Sequence, residues 1–243
     1  MPHSNPQDLR ELPYGDDRLE RTIFIATDHV TLEGTLGVPT GANALVLFAH
    51  GSGSSRFSPR NRFVARVLRE AGLGTLLLDL LSHAEEVVDE VTRHHRFDIQ
   101  MLADRLVVAI DWLATQSDTE HLSVGLFGAS TGGGAALVAA AARPVRVGAV
   151  VSRGGRPDLA GDSLPLVEAP TLLLVGERDE QVIDLNERAR AHIRALVRLE
   201  VIPRATHLFE EPGALEEVAV RARDWFAQYL TVQAHAPSRA SKD

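Results

Sequence analysis

A serine flanked by glycines lies where a predicted strand meets a predicted helix. Residues 128–132 read Gly-Ala-Ser-Thr-Gly, after the apolar run at 123–127 and before an alanine-rich stretch. A serine hydroxyl is a poor nucleophile at neutral pH, so a protein that uses one holds it on a tight turn beside a base and oxyanion donors. The pattern predicts a nucleophile elbow with Ser130 at its apex. The alternative is a glycine-rich turn without a catalytic role. The choice between the two depends on whether other residues supply Ser130 with a base and an acid.

A base and an acid for this serine come from two later loops. His207 and Asp179 each follow a predicted strand at its carboxyl end, the edge at which open α/β sheets bind ligands. His207 is predicted to take the Ser130 proton and deliver it to the leaving group, because imidazole titrates near neutral pH. Asp179 is predicted to fix the imidazole tautomer and stabilise the imidazolium. Glu177 is the alternative acid, and Asp179 is preferred because it lies further into the loop.

Two backbone N–H groups are predicted to bind the oxyanion that forms during acyl transfer. One belongs to Thr131, directly after the nucleophile, and the other to Ser52, in the loop that follows His50. In enzymes of this kind the loss of one such donor costs about 10²–10³ in turnover. His50 itself is predicted to shape the loop rather than act as the base, because the glycines around Ser52 must occupy the adjacent space.

Two arginines follow the sixth predicted strand, on the same rim as the serine. Arg153 and Arg156 are predicted to bind a substrate carboxylate, because a guanidinium can recognise that group through two parallel hydrogen bonds. The alternative is that they pair with nearby acids such as Asp158 or Glu177. The sequence leaves both possibilities open.

The composition excludes several classes of protein. The chain has 243 residues with 25 basic and 33 acidic side chains, and this net charge of −8 argues against general nucleic-acid binding. It has no cysteine, which removes disulfides, thiolate metal sites and a cysteine nucleophile together. His94 and His95 are adjacent, and adjacent helical residues do not share a face, so no metal site is predicted there. No metal and no cofactor are expected.

Strand-length apolar runs alternate with segments of helical period, which predicts an α/β fold with a mostly parallel sheet covered by helices on both faces. The predicted strands cover residues 21–26, 31–38, 44–49, 74–79, 123–127, 148–152, 171–175 and 199–202. The predicted helices cover residues 59–71, 98–115, 131–142, 184–196 and 212–230. The first two strands are expected to form an antiparallel edge hairpin, and Asp184 is expected to cap the fourth helix.

The chain is predicted to form one domain over residues 19–232, between flexible ends at 1–18 and 233–243. The polar amino terminus lacks the apolar core of a secretory signal, and no run is long enough for a membrane span, so a cytoplasmic protein without membrane contact is expected. The sequence does not distinguish a monomer from a dimer.

Taken together, these motifs resemble those of the α/β-hydrolase superfamily. The chain order of Ser130, Asp179 and His207 and the segments 50–56, 152–158 and 206–210 resemble the dienelactone hydrolase branch, in particular a subgroup also found fused to phosphoribosyltransferase domains. The resemblance covers residues 22–230 and implies an eight-stranded α/β-hydrolase fold and a serine esterase that cleaves carboxylic esters. Dienelactone hydrolase itself uses a cysteine, so its lactone substrate is not carried over to a chain with serine at this position.

The stretch between the sixth and seventh strands, residues 152–170, is too short for the multi-helix cap of lipases. An open site is therefore expected, with small or short-chain esters as substrates. The charged segment 81–97 is expected to form part of the entrance or a solvated face. A thioesterase, an amidase or an acyltransferase would use the same residues, and a non-catalytic module that binds a small ligand or a partner is the remaining alternative.

Overall fold

The computed structural model describes residues 20–230, so the predicted flexible ends at 1–18 and 233–243 lie outside the described residues. Within this range eight strands form a single sheet. The strands are β1 (Glu20–Ala26), β2 (Thr31–Gly37), β3 (Ala44–Ala49), β4 (Gly74–Leu78), β5 (Ser123–Ala129), β6 (Val147–Arg153), β7 (Thr171–Gly176) and β8 (Val197–Ile202). The predicted eight-stranded sheet is confirmed.

The strands lie in the order β1-β2-β4-β3-β5-β6-β7-β8. β1 pairs antiparallel with β2, and β2 pairs antiparallel with β4, which confirms the predicted edge hairpin. All remaining pairs are parallel. The carboxyl ends of β3, β5, β6, β7 and β8 therefore meet at one edge of the sheet, and β3 lies directly beside β5 there.

Helices cover both faces of the sheet. They are α1 (Pro59–Glu70), α2 (His83–Thr92), α3 (Ile99–Leu113), α4 (Thr131–Ala142), α5 (Glu180–Arg190) and α6 (Ala214–Tyr229). Alternate residues of β3 face opposite layers: Leu45 and Leu47 pack in the core with α3 and α4, whereas Val46 and Phe48 pack with α1 and α6. Burial on both sides explains why the central strands are apolar throughout.

The helix α2 was not predicted. Its segment carries many charges, and the only side chain that it buries is that of Asp89. A local signal for it does exist, because Ser82 and Glu85 form a capping box. The Ser82 hydroxyl accepts a hydrogen bond from the Glu85 N–H at 3.3 Å, and the Glu85 carboxylate accepts one from the Ser82 N–H at 2.8 Å. The sequence also places Val87, Val88 and Val91 at helical spacing, but in the structure these valines are exposed and do not pack in the core.

The bounds predicted for the fourth helix were wrong. The helix was expected over residues 184–196, but α5 runs from Glu180 to Arg190, so Asp184 lies inside it and does not cap it. The residue at the N-cap position is Asp179. The chain must leave the helix early because the carbonyl of Leu196 already accepts a hydrogen bond from Thr171 at the start of β7, at 2.9 Å.

No cap domain covers the sheet edge in the part of the chain that the structure describes. Between β6 and β7 the chain forms only a short 3₁₀ stretch, Pro157–Leu166, which packs against α4 and α5. The prediction of a minimal cap is confirmed. Within residues 20–230, no helix combines the length and the apolar character that crossing a bilayer would require.

Candidate active site

Ser130 lies between the last residue of β5 and the first residue of α4. Its backbone angles are φ 51° and ψ −122°, in a region that residues with a Cβ rarely occupy. Such a conformation costs about 1–3 kcal/mol and persists only where the surroundings impose it. Here the Ser130 N–H donates to the Arg153 carbonyl at 3.2 Å, and the Ser130 carbonyl accepts from the N–H groups of Gly133 and Arg156, each at 3.0 Å. The serine is thus held on the sharp strand-to-helix turn of a nucleophile elbow.

The backbone that follows β3 passes directly against the start of α4. A Cβ at Gly132 would lie 2.3 Å from the carbonyl oxygen of Ala49 and 2.5 Å from that of His50, so the position has no room for a side chain. A Cβ at Gly51 would lie 3.0 Å from the Cβ of Ser130. These close approaches bring the loop after His50 next to the serine.

The predicted base and the predicted acid are joined by a short hydrogen bond. His207 Nδ1 lies 2.6 Å from Asp179 Oδ2, and the His207 side chain is 39% exposed. Asp179 precedes α5 directly, yet its carboxylate makes no hydrogen bond to its own helix. Gly176 permits the contact, because a Cβ there would lie 2.4 Å from the Ala205 carbonyl oxygen and 2.6 Å from that of Thr206. The end of β7 therefore lies against the loop that carries His207.

The alternative acid, Glu177, has a different partner. Its carboxylate accepts a hydrogen bond from the backbone N–H of Arg204 at 2.6 Å, and its own N–H donates to the carbonyl of Ile202 at 3.0 Å. These contacts tie the loop after β7 to the turn after β8. Of the two candidate acids, Asp179 is the one in contact with His207.

No hydrogen bond joins the Ser130 hydroxyl to His207 within residues 20–230. The two residues are linked through the end of β6. The backbone carbonyl of Arg153 accepts a hydrogen bond from the N–H of Ser130 at 3.2 Å. A Cβ at the next residue, Gly154, would lie 3.5 Å from His207 Nδ1. Contacts between a nucleophile and its base are often long until substrate binds.

The two predicted oxyanion donors line the same cleft, which has a volume of about 260 Å³. Thr131 is the first residue of α4, and Ser52 lies in the loop after β3. Neither backbone N–H has an acceptor within the described residues. The first N–H groups of a helix have no partner in their own helix, so that of Thr131 remains able to bind a ligand oxygen.

A second wall of the cleft, besides the loop after β3, comes from α2 and the turn after it. This wall carries the carboxylates of Glu86, Asp89 and Glu90 and the guanidinium of Arg96. Asp89 is fully buried, and its carboxylate accepts hydrogen bonds from the His95 N–H at 2.8 Å and from Arg96 Nε at 2.5 Å. Sequence reasoning placed this charged segment, these four residues included, near the entrance or on a solvated face, but it did not recognise the helix.

His50 fixes the shape of the loop that carries Ser52. It is buried, its Nε2 accepts a hydrogen bond from the Leu80 N–H at 2.9 Å, and its Nδ1 donates to the Gly51 carbonyl at 2.9 Å. Burial lowers the pKa of His50, although the Gly51 carbonyl and the charge of Asp79 both favour protonation. Because Nε2 accepts a hydrogen bond, the ring is neutral and is not available as a catalytic base.

We expect this buried neutral ring to make the protein less stable in mild acid. The unfolded chain takes up a proton on His50 as the pH falls through about 6.5, whereas the folded chain does so only at lower pH. Below pH 6.5 the free energy of unfolding should therefore fall by up to about 1.4 kcal/mol per pH unit from this residue. Urea denaturation between pH 5 and 8 measures the slope, and His50→Gln should have a shallower one. Equal slopes in the two proteins would contradict the assignment.

The other end of the loop that carries Ser52 is anchored by an ion pair. The backbone N–H of Arg56 donates to Asp79 Oδ1 at 2.6 Å, and the Arg56 guanidinium binds both Asp79 and Glu33, the latter at 2.7 Å. The Arg56 and Asp79 side chains are largely buried, and buried ion pairs depend on such additional hydrogen bonds. Arg56 thus connects the loop to the ends of β2 and β4.

The two arginines predicted to bind substrate differ in the structure. Arg156 donates from Nε and Nη2 to the two carboxylate oxygens of Asp158, at 2.8 Å and 2.7 Å. This is the local pairing that the sequence left open. Arg153 is buried at the end of β6 and pairs with neither Asp158 nor Glu177. Within residues 20–230, no group of three or more His, Asp or Glu side chains could hold a metal ion.

The fold agrees with the comparisons. The chain belongs to the α/β-hydrolase superfamily, since the family described as an alpha/beta hydrolase domain matches residues 42–222. It is 61% identical to a dienelactone hydrolase of Anabaena variabilis of known structure, over 87% of this chain and 98% of that one, with a TM-score of 0.86. The predicted membership of the dienelactone hydrolase branch is confirmed.

Two further comparisons add context. This chain is 57% identical over 211 residues to two Mycobacterium tuberculosis proteins. Both carry the provisional name phosphoribosyl transferase. The match covers 87% of this chain and 47% of theirs, so the chain spans about half the length of these curated relatives. The protein Est1E of Butyrivibrio proteoclasticus has the same fold, with 17% identity, a TM-score of 0.71 and coverage of 85% of this chain and 98% of that one.

Proposed function

We propose that the protein is a serine hydrolase that cleaves carboxylic esters through an acyl-enzyme. The observation that carries this proposal is the 2.6 Å contact between His207 and Asp179, at the same sheet edge as a serine held on a strained elbow. A structural turn has no need of a strained serine, and an exposed histidine has no need of a carboxylate on its Nδ1. The similarity to a dienelactone hydrolase supports the same reaction class.

The residues define a two-step reaction. Ser130 Oγ attacks the ester carbonyl carbon while His207 Nε2 takes the hydroxyl proton, and Asp179 keeps the other ring nitrogen protonated. The backbone N–H groups of Thr131 and Ser52 donate to the oxyanion of the tetrahedral intermediate. The intermediate collapses by breaking the bond to the alcohol oxygen, which receives the proton from His207. A water molecule then attacks the acyl-enzyme by the same route and releases the acid and free Ser130.

The surroundings of the site favour small substrates. The neighbouring cleft has a volume of about 260 Å³ and, in the described part of the chain, no cap extends it into a tunnel. Drug-sized ligands generally occupy pockets of roughly 300–1,000 Å³, which indicates that a long acyl chain would remain in water. We therefore infer esters of short or compact acids as the substrate class.

A fluorophosphonate probe tests the proposal directly, because it phosphonylates an activated serine and remains bound. We expect one label per chain, located on Ser130 by peptide mass spectrometry, and none in Ser130→Ala. Ser117→Ala is the matched control, since Ser117 is exposed and lies outside the site, and it should label as the wild type does. A folded wild-type protein that takes up no probe, or a Ser130→Ala variant that still does, would refute the proposal.

A further inference from the structure

Arg153 is a buried cation without a hydrogen-bond partner for two of its nitrogens. Its side chain is at the end of β6, the residue is only 8% exposed, and its Nε and Nη1 atoms contact no acceptor within residues 20–230. Burying an unpaired charge is expensive, and buried polar groups in folded proteins are almost always satisfied. An unsatisfied arginine at the ligand-binding edge of a sheet therefore indicates a binding partner that the chain itself does not supply.

A second arginine increases the positive charge at this place. Arg60, near the start of α1, interacts repulsively with Arg153, and its Nε also lacks an acceptor. Burial, together with Arg60, lowers the pKa of the Arg153 guanidinium to about 9, which leaves it charged at neutral pH. Nearby, the buried Asn61 is also incompletely paired, since its Oδ1 has no partner. These unsatisfied groups come from the end of β6 and from α1, the helix that packs with Val151 of the same strand.

The pair lies close to the reacting groups. The Arg153 carbonyl accepts the N–H of Ser130 at 3.2 Å, and a Cβ at Gly154 would lie 3.5 Å from His207 Nδ1. Side chains alternate along β6, with Val151 in the core shared with α1 and Ser152 against Gly133 of α4. Arg153 therefore points to the α1 side of the sheet edge, away from α2.

The acid that contacts Arg60 is held loosely. Glu210, three residues after His207, contacts Arg60 Nη1 at 3.2 Å, and its side chain is 59% exposed. An exposed ion pair of this kind is worth about 0–1 kcal/mol, so another carboxylate can replace it. Because Glu210 belongs to the same loop as His207, a substrate group that displaces it would arrive beside the catalytic base.

We propose that Arg153 and Arg60 form a subsite for a carboxylate on the acyl part of the ester, so that the preferred substrates are half-esters of small dicarboxylic acids. This rests on the proposed esterase function. A planar guanidinium matches a carboxylate better than it matches a neutral or tetrahedral group. On the α2 side of the site the carboxylates of Glu86 and Glu90 would repel the same group, whereas the buried Asp89 is paired with Arg96. The charge distribution thus orients the substrate.

The test compares nitrophenyl half-esters of succinate, glutarate and adipate with their neutral methyl diester counterparts. The wild type should show a higher kcat/KM for the charged ester of each pair, with a maximum at one chain length. In Arg153→Met the ratio of charged to neutral kcat/KM should fall about 10- to 100-fold, the value of charge-assisted hydrogen bonds, mainly through KM. Arg66→Met, which removes an arginine paired with Glu70 further along α1, is the matched control and should keep the wild-type ratio.

Each outcome decides the question. A wild-type ratio near one overturns the proposal, and so does an equal fall for both esters in Arg153→Met, since that shows a purely structural role. Stronger inhibition by inorganic phosphate than by glutarate would assign the subsite to phosphate and overturn the carboxylate assignment. If no ester is turned over, calorimetric binding of glutarate to the wild type and to Arg153→Met still tests the subsite, separately from the proposed function.

A second variant covers the case in which Arg153→Met does not fold. Glu210 is exposed, so Glu210→Gln should fold normally while removing the internal competitor for Arg60. We expect the charged-to-neutral ratio to rise about two- to fivefold, in keeping with the loss of a weak surface pair. A ratio that falls or stays constant in Glu210→Gln would contradict a carboxylate subsite at this position.

Discussion

Ser130→Ala and His207→Ala should each lower kcat for ester hydrolysis by about 10⁶, and the double variant should be no slower than either single one. The serine is a useful nucleophile only while a base takes its proton, and the base has no function without the serine. The two residues therefore act as a unit, and their effects are not additive. A residual rate above that of water should remain, because oxyanion donors and substrate binding act without them.

The experiment requires enzyme free of host esterases and a rate measured against titrated active sites. His192→Ala is the matched control, since His192 is exposed and its ring nitrogen Nδ1 lies 2.8 Å from the Arg188 carbonyl oxygen. Its kcat should stay within about threefold of the wild type, as expected for a surface substitution. Losses that add in the Ser130→Ala, His207→Ala double variant would show that the two residues act independently and would reject the shared mechanism.

The sequence was sufficient to predict the sheet and the positions of the candidate catalytic residues. Buried parallel strands are apolar on both faces, so their ends are visible as abrupt changes to polar residues. Ser130, Asp179 and His207 each follow such a change, and the parallel topology gathers those ends at one edge. The pattern has a glycine two residues after the serine, and the structure shows the close backbone contact at Gly132 that explains it.

Other features depended on contacts between distant parts of the chain. The end of α5 is set by the hydrogen bond that Leu196 makes to β7, and helical periodicity does not report such a contact. The sequence predicted only that Arg60 lies in the first helix. Its proximity to Arg153 was not predictable, because it depends on how α1 packs on the sheet. The helix α2 has two local signals, a capping box and valines at helical spacing, and it was missed because its many charges were read only as a solvated face.

If Asp179 orients His207, Asp179→Asn should lower kcat by about 10⁴ while the fold remains intact. The 2.6 Å contact leaves His207 with its proton on Nδ1, so that Nε2 can accept the proton of Ser130. An asparagine amide can instead donate to Nδ1, which moves the ring proton to Nε2 and prevents it from acting as a base. Fluorophosphonate labelling should slow by a similar factor, because it requires the same activated serine.

Glu177→Gln separates this role from a general effect of removing a carboxylate at the same edge. The glutamine retains a side-chain oxygen for the N–H of Arg204, which Glu177 now binds at 2.6 Å. Its kcat should therefore stay within about threefold of the wild type. Circular dichroism and urea denaturation establish that both variants are folded. If Glu177→Gln lost the larger share of activity, the orienting carboxylate would be Glu177, and the contact between His207 and Asp179 would have to rearrange when substrate binds.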